Sequence, residues 1–276
     1  MLTREYGIDA RTFSGTSHVF SLIYGHAAHA LSLNDICDAL SVHGSEFLRV
    51  RDAVPPKRNT FSNANRTRDP AMAEALYWKM LAHLQDICPG FAEYGKHTGF
   101  IFRLKRDIFA MDSTTLQLTL ASIDWARHRR RKAAAKCHMR LNIGTFVTNN
   151  TSWSARTIAE LYRARWAIEL FFKELKQTLQ LQDFVGTNEK AVKWQVWTGL
   201  LTHLLLRFLR HVSHWGRSFS RCAGIVRSAL WVKTDLAELL RCYGTADGPH
   251  RPVLSAKEPF LPGFEAFSSS LMGQHG

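Results

Sequence analysis

Tyr162-Arg163-Ala164-Arg165-Trp166-Ala167-Ile168-Glu169-Leu170-Phe171-Phe172-Lys173-Glu174-Leu175-Lys176 is the stretch from which the rest of the chain is read. It contains no Gly or Pro and is mostly good helix formers, so it predicts a helix. At about 100° per residue, Tyr162, Arg165, Glu169 and Lys176 fall within an arc of about 60°. Leu161, Ile168, Phe171, Phe172, Leu175 and Leu179 fill a neighbouring arc about 100° wide, enough to seat the helix on a core. One carboxylate then stands at the edge of a buried face, flanked along one stripe by two cations and a phenol. A metal-held carboxylate beside phosphate-binding cations has this form. So does a solvated helix face with a weak ion pair.

The composition narrows the class of partner. The chain has 276 residues, of which 46% are hydrophobic, enough for a real core in one large or two modest domains. A formal charge of +13 favours a polyanion, either nucleic acid or an anionic membrane. Cys37, Cys88, Cys137, Cys222 and Cys242 are scattered without a Cys-x-x-Cys pair, which argues against a zinc site and a disulfide framework and suits a reducing cytoplasm. Met1 to Asp9 has early acids and no apolar run, so no signal peptide is expected.

Residues 14–105 read as helical. His18 to Leu31 and Leu33 to Leu40 carry helical periodicity, and Pro55-Pro56 ends the next piece. Lys57 to Arg68 is short, basic and rich in Asn. With Arg58 and Arg66 on its face it suits a helix-turn-helix reader of DNA, or else a polar connector between bundle helices. Asp69-Pro70 opens another helix, with Met72, Leu76, Met80, Leu84 and Ile87 as core positions. Further on, Ala191 to Arg210 is a very apolar helix. Lys193, Gln195, His203 and Arg207 interrupt it, so a buried core helix is expected rather than a membrane span.

From Phe102 the periodicity changes. Ile108 to Asp112 predicts a buried strand that ends on an acid, Thr115 to Leu120 a second strand, and Cys137 to Ile143 a third. Asp124-Trp125-Ala126 predicts a turn. The basic run from Arg127 to Lys132, with Arg129, Arg130 and Arg131, is either a solvated turn or a rail for DNA phosphates, and the charge of the chain favours the rail.

Tyr162-x-x-Arg165-x-x-x-Glu169-x-x-x-x-x-x-Lys176 resembles the Tyr-Arg-Glu-Lys signature of insertion-sequence-4 (IS4-like) DDE transposases, with Trp166, Ile168 and Phe171-Phe172-Lys173 also reading as that family does. Asp112-Ser113-Thr114 is similar to the family's first metal-binding motif, and Lys136-x-His138 matches the start of its third strand. The resemblance implies an α/β fold: a ribonuclease-H-like core, here an incomplete one of a short strand meander plus the Glu-bearing helix, flanked by N- and C-terminal helical regions. The implied division is 1–105 for the N-terminal, DNA-binding region, 106–186 for the truncated DDE core, 187–263 for the C-terminal helices and 264–276 for a tail.

The resemblance further implies a two-metal Mg²⁺ site with Asp112 and Glu169 as catalytic ligands. Tyr162, Arg165 and Lys176 would contact DNA, joined by Arg58, Arg66, Arg129, Arg130, Arg131 and Lys136. Double-stranded DNA, a homodimer and a cytoplasmic, nucleoid-associated location follow, with no role for a membrane. One departure changes the outlook. Asn142-Ile143 runs almost directly into Gly144-Thr145-Phe146, and Asp124 is the only other Asp between Asp112 and Glu169. The strand that carries the family's second Asp is missing, and the start also reads as short. The expectation is a cut-and-paste transposase by descent whose chemistry is lost. The alternative is a DNA-binding remnant that competes with an intact enzyme.

Overall fold

The computed structural model describes residues 5–6, 8, 12–91, 169–181 and 186–242, and the backbone pairing of the strands within 109–142. Mostly helical, these residues are organised around one helix. Eight α-helices are described in full: α1 (Gly15–Ala28), α2 (Leu33–Val42), α3 (Gly44–Leu48), α4 (Arg58–Thr67), α5 (Ala71–Ile87), α6 (Glu189–Val212), α7 (Phe219–Ser228) and α8 (Leu236–Cys242). A π-helical segment, π1 (Glu174–Thr178), continues a helical turn at 169–173.

Local chemistry sets where most of these helices begin. The side chains of Ser14, Ser32, Asn188 and Ser218 accept the first free N–H groups of α1, α2, α6 and α7. At α2 the cap is reciprocal, because the Asp35 carboxylate in turn accepts the Leu31 N–H at 3.1 Å. The Asp69 carboxylate accepts the Ala71 N–H at 2.9 Å just ahead of α5, as the Asp-Pro pair predicts.

α6 is the axis of the helical body. Trp194, Leu201 and Leu204 on one side join Phe13, Val19, Leu22, Ile36, Leu40, Phe61 and Met72 in a single core. Leu206, with Val196, Leu200 and Leu209 partly buried, turns towards a second core of Leu175, Leu179, Trp215, Phe219, Cys222 and Leu240. A helix covered on two sides is apolar over most of its circumference, which explains its composition. No described helix is long and apolar enough to cross a membrane. Helices α1–α5 therefore share a core with α6, and the Trp194 indole N–H donates to the Arg68 carbonyl at 3.2 Å. Within α5, Met72 and Leu84 are buried and Leu76 and Met80 pack against the core, whereas Ile87 stands 55% exposed at the last turn, contrary to the periodic expectation.

Among the described residues the sheet has three strands, β1 (Phe109–Leu118), β2 (Arg127–His128) and β3 (Lys132–Asn142), in the order β1-β3-β2. Both pairings are antiparallel, and β1 with β3 run in register from Phe109↔Asn142 to Leu118↔Ala133. The two strands expected at 108–112 and 115–120 are one continuous strand. Ser113-Thr114 reads as a boundary, yet Thr114 and Thr115 suit a strand and the unbroken β3 partner carries the ladder through them. Part of the expected basic turn is strand as well, since Arg127-His128 forms β2 and Lys132 opens β3. The expected turn at Asp124-Trp125-Ala126, the run Arg129-Arg130-Arg131 and the tail at 264–276 lie outside the described residues.

Candidate functional site

The signature stretch is described from Glu169 onward; Tyr162 and Arg165 lie outside the described residues. Residues 169–173 form a helical turn that widens into π1, where the Leu179 N–H reaches back to the Glu174 carbonyl at 3.2 Å, five residues away. Gln180, at φ 49°, releases the segment. Phe172, Leu175 and Leu179 are buried, as the helical wheel predicts, and Phe171 is partly so. Glu169 and Lys176 are both half-buried. A constant 100° pitch does not hold between them, because π1 intervenes; such π segments occur often at functional sites.

Glu174 sits between these two residues and is buried, with 4% of its surface exposed. Its Oε2 accepts from Arg207 Nη2 at 2.6 Å and from His203 Nε2 at 2.8 Å. His203 and Arg207 are one helical turn apart on α6, so one carboxylate is held by two adjacent positions of a single helix face. Arg207 Nε also lies 3.4 Å from His203 Nε2. The shorter contact to the carboxylate places the ring proton on Nε2, so that nitrogen donates to Glu174. Phe171 packs edge-on to His203, and Phe219 lies beside both the His203 ring and the Arg207 guanidinium.

Burial pushes the Glu174 carboxyl up. The His203 hydrogen bond and the Arg207 charge outweigh it, so the group stays below the usual carboxylate range and ionised. Burial lowers the His203 ring, which the Glu174 hydrogen bond only partly offsets. The triad is therefore a carboxylate–guanidinium pair with a neutral imidazole as second donor. The sequence reading gave Glu174 no role. A signal existed in His203 and Arg207, four residues apart on an otherwise apolar helix, because buried donors of that kind need an acceptor from elsewhere in the chain.

α4 is the second region of interest. Phe61, Ala64 and Asn65 are buried, while Lys57, Arg58, Asn59, Thr60, Ser62, Asn63, Arg66 and Thr67 are exposed. No acid occurs between Lys57 and Arg68. Arg66 donates to Asn63 Oδ1 at 3.1 Å along the exposed face, and Lys190 of α6 reaches the Thr67 carbonyl at 3.3 Å. Arg68 is structural: it donates to the Phe13 and Ser14 carbonyls and lies over the Phe13 ring.

Asp112 is the fourth residue of β1, opposite Met139, and not the end of a strand as expected. Ser113 and Thr114 continue past it. Lys136 lies opposite Thr115, three register positions away. An odd offset puts the Asp112 and Lys136 positions on opposite faces of the sheet. Among the described residues no group of three or more His, Cys, Asp or Glu side chains could hold a metal ion. Asp112 and Glu169 are the two carboxylates that the resemblance assigns to a hard divalent cation.

Comparison with known proteins finds one family. Residues 95–205, which take in the three strands and most of α6, match the family described as "Transposase DDE domain". Through this segment the chain is similar to DDE transposases. Such a domain implies a ribonuclease-H-like fold and, at the level of the family, divalent metal ions and DNA.

Particular relatives are named as transposases, two of them of insertion sequence elements. The chain is 33% identical over 97 residues to "Putative transposase y4zB" of Sinorhizobium fredii, covering 35% of this chain and 27% of that protein. It is 44% identical over 63 residues to "Probable transposase for insertion sequence element IS5377" of Geobacillus stearothermophilus, covering 23% and 17% of the two chains. It is also 41% identical over 56 residues to "Putative transposase for insertion sequence element IS4SA" of a Synechocystis species, covering 20% and 17%. The matched stretches span less than a third of each relative's length. No solved structure matches the chain significantly.

Proposed function

We propose that this chain descends from an IS4-like insertion-sequence transposase, binds double-stranded DNA at transposon ends, and has lost cut-and-paste strand transfer. The observation that carries the reading is the signature Tyr162, Arg165, Glu169 and Lys176 inside the segment that matches the transposase DDE domain. Asp112 and Glu169 are the residues that would hold Mg²⁺, and that cation would stabilise charge at a phosphodiester. Arg165 grips a phosphate through two nitrogens, Lys176 adds a point charge, and Tyr162 donates a hydrogen bond. Arg129, Arg130, Arg131 and Lys136 extend the contact along the DNA backbone. The three strands and the Glu-bearing helix are then an incomplete ribonuclease-H-like core at 106–186, between a DNA-binding region at 1–105 and the C-terminal helices at 187–263. With the strand of the second Asp missing, the preorganised electrostatics of the reaction are incomplete and turnover is lost. In the family's manner the protein pairs DNA ends as a homodimer and acts in the cytoplasm at the nucleoid.

The second reading, a non-catalytic DNA-binding competitor of an intact transposase, draws support from the helical body. Helices α1–α5 pack their core against α6, and the acid-free face of α4 with Arg58 and Arg66 remains exposed. Incubating purified protein with a labelled duplex of the inverted repeat that flanks its gene, in Mg²⁺ or Mn²⁺, tests both readings. A shifted band without nicked product is expected. Nicking that Glu169→Gln abolishes would overturn the loss of chemistry. The absence of any shift at moderate salt would overturn DNA binding.

A further inference from the structure

We propose that Glu174 is a positioning residue: anchored to His203 and Arg207 of α6, it fixes the rotation of the signature helix and so the direction in which Glu169 and Lys176 are presented to DNA. This rests on the proposed function, in which Glu169 and Lys176 face nucleic acid.

Phe172, Leu175 and Leu179 bury the helix by apolar contact, which is non-directional, and beyond Lys176 polar contacts hold its end: His26 Nδ1 lies 3.2 Å from the Leu179 carbonyl and the Thr178 and Ser220 hydroxyls are 2.9 Å apart. The Glu174 carboxylate is a directional attachment between Glu169 and Lys176, with donors at 2.6 and 2.8 Å from successive turns of α6. A buried ion pair is a poor source of stability, because desolvation offsets most of the Coulombic attraction, and its best-attested use is to specify register. Its place in the chain suits that use. Glu174 opens π1, where the helical pitch changes, and lies between Glu169 and Lys176. An anchor at that point ties the rotation of the widened turn to α6. Arg207 is also held over the Phe219 ring at 5.4 Å, so α7 steadies the anchor from a third element.

The experiment is a salt titration of binding by the full chain to the flanking-repeat duplex. A misfolded fraction shifts the apparent Kd equally at all salt concentrations and leaves the log–log slope unchanged, so the slope reports phosphate contacts and not stability. Lys176→Ala should lower the slope by about 0.9, the value of one phosphate contact. Glu174→Gln should lower it by the same amount, and the double variant by no more than either single one. If Glu174→Gln keeps the wild-type slope while Lys176→Ala lowers it, Glu174 is only a packing residue and the proposal fails. If Lys176→Ala itself leaves the slope unchanged, the DNA-facing reading of the signature helix fails and the proposal with it. Should Glu174→Gln not fold by circular dichroism, Arg207→Lys serves instead, since it keeps the charge but not the guanidinium geometry. A lowered slope then supports the anchor, and a wild-type slope overturns it.

Discussion

His18 Nε2 donates to Asn65 Oδ1 at 2.7 Å inside the helical core, joining α1 to the buried side of α4 across 47 residues of sequence. The other ring nitrogen, Nδ1, is buried without a hydrogen-bond partner. Phe13, Phe61 and Trp194 surround the ring. The bond is thus the polar pin that seats the helix bearing Arg58 and Arg66. Asn65→Ala leaves a buried N–H unsatisfied and should lower stability by about 2 kcal/mol. A shift of the urea midpoint with unchanged slope would register this change, and an unchanged midpoint would contradict the role.

Acid should weaken the fold well above the carboxylate range. Burial holds His18 down to about 3 and His26 down to about 4, from an ordinary 6.5. The unfolded chain therefore takes up protons between about pH 6.5 and 4 that the folded chain does not, and stability falls as pH falls through that window. Each of the two rings contributes a loss of about 1.4 kcal/mol per pH unit well below 6.5. His203, lowered chiefly by burial, acts in the same direction. Urea midpoints at pH 7, 6 and 5 should decline steadily, and a flat profile would show that these rings are not buried as described.

Breaking the Glu174 pair from one side should be worse than removing it whole. Arg207→Ala leaves an ionised carboxylate 4% exposed and should cost about 3 kcal/mol. Replacing Glu174 and Arg207 together by Leu removes the orphaned charge and should recover much of that stability. Thermal melts of the single and double variants check the ordering.

Substitution of Arg58 and Arg66 by Ala should leave the stability within about 1 kcal/mol of the parent, because both side chains are exposed. DNA affinity should nevertheless fall, and the salt slope should decrease by about 0.9 for each phosphate that is no longer neutralised. Unchanged binding would make α4 the polar connector that its composition equally allows.

Gly199 lies inside α6, where a glycine ordinarily weakens a helix. A Cβ there would meet Leu181 Cδ1 at 2.5 Å and the His26 ring at 3.4 Å. Gly199→Ala should therefore destabilise by about 1–3 kcal/mol through overpacking, against a propensity gain of about 1 kcal/mol. A stabilised variant, by urea denaturation, would show that α6 and Leu181 do not approach this closely.

Helices with strong periodicity or a capping residue were legible in the sequence, as Leu33 to Leu40 in α2 and Asp69-Pro70 at α5 illustrate. Legibility failed where a partner distant in sequence decides. Ala133, Ala134 and Ala135 are weak strand formers beside a charge run, yet β1 holds them in a ladder. Glu174 falls about 60° beyond Phe171 on a uniform wheel, outside the apolar arc. It is buried because α6 supplies two donors, which no reading of the signature stretch alone could reveal. The pitch change at π1 was hidden for the same reason, as it shows only in which carbonyl each N–H reaches.

The shared core has a consequence for how the protein is made. Helices α1–α5 finish at Ile87, while Trp194, which fills their core, comes about 100 residues later. At ribosomal rates of about 5–20 residues per second that is about 5–20 s of synthesis. During that interval the nascent N-terminal helices carry Phe61, Leu40 and Ile36 without the indole and leucines that cover them. The ribosome thus releases an adhesive intermediate before a finished module, and a message that stalls within the strand segment yields a product with its sticky face open.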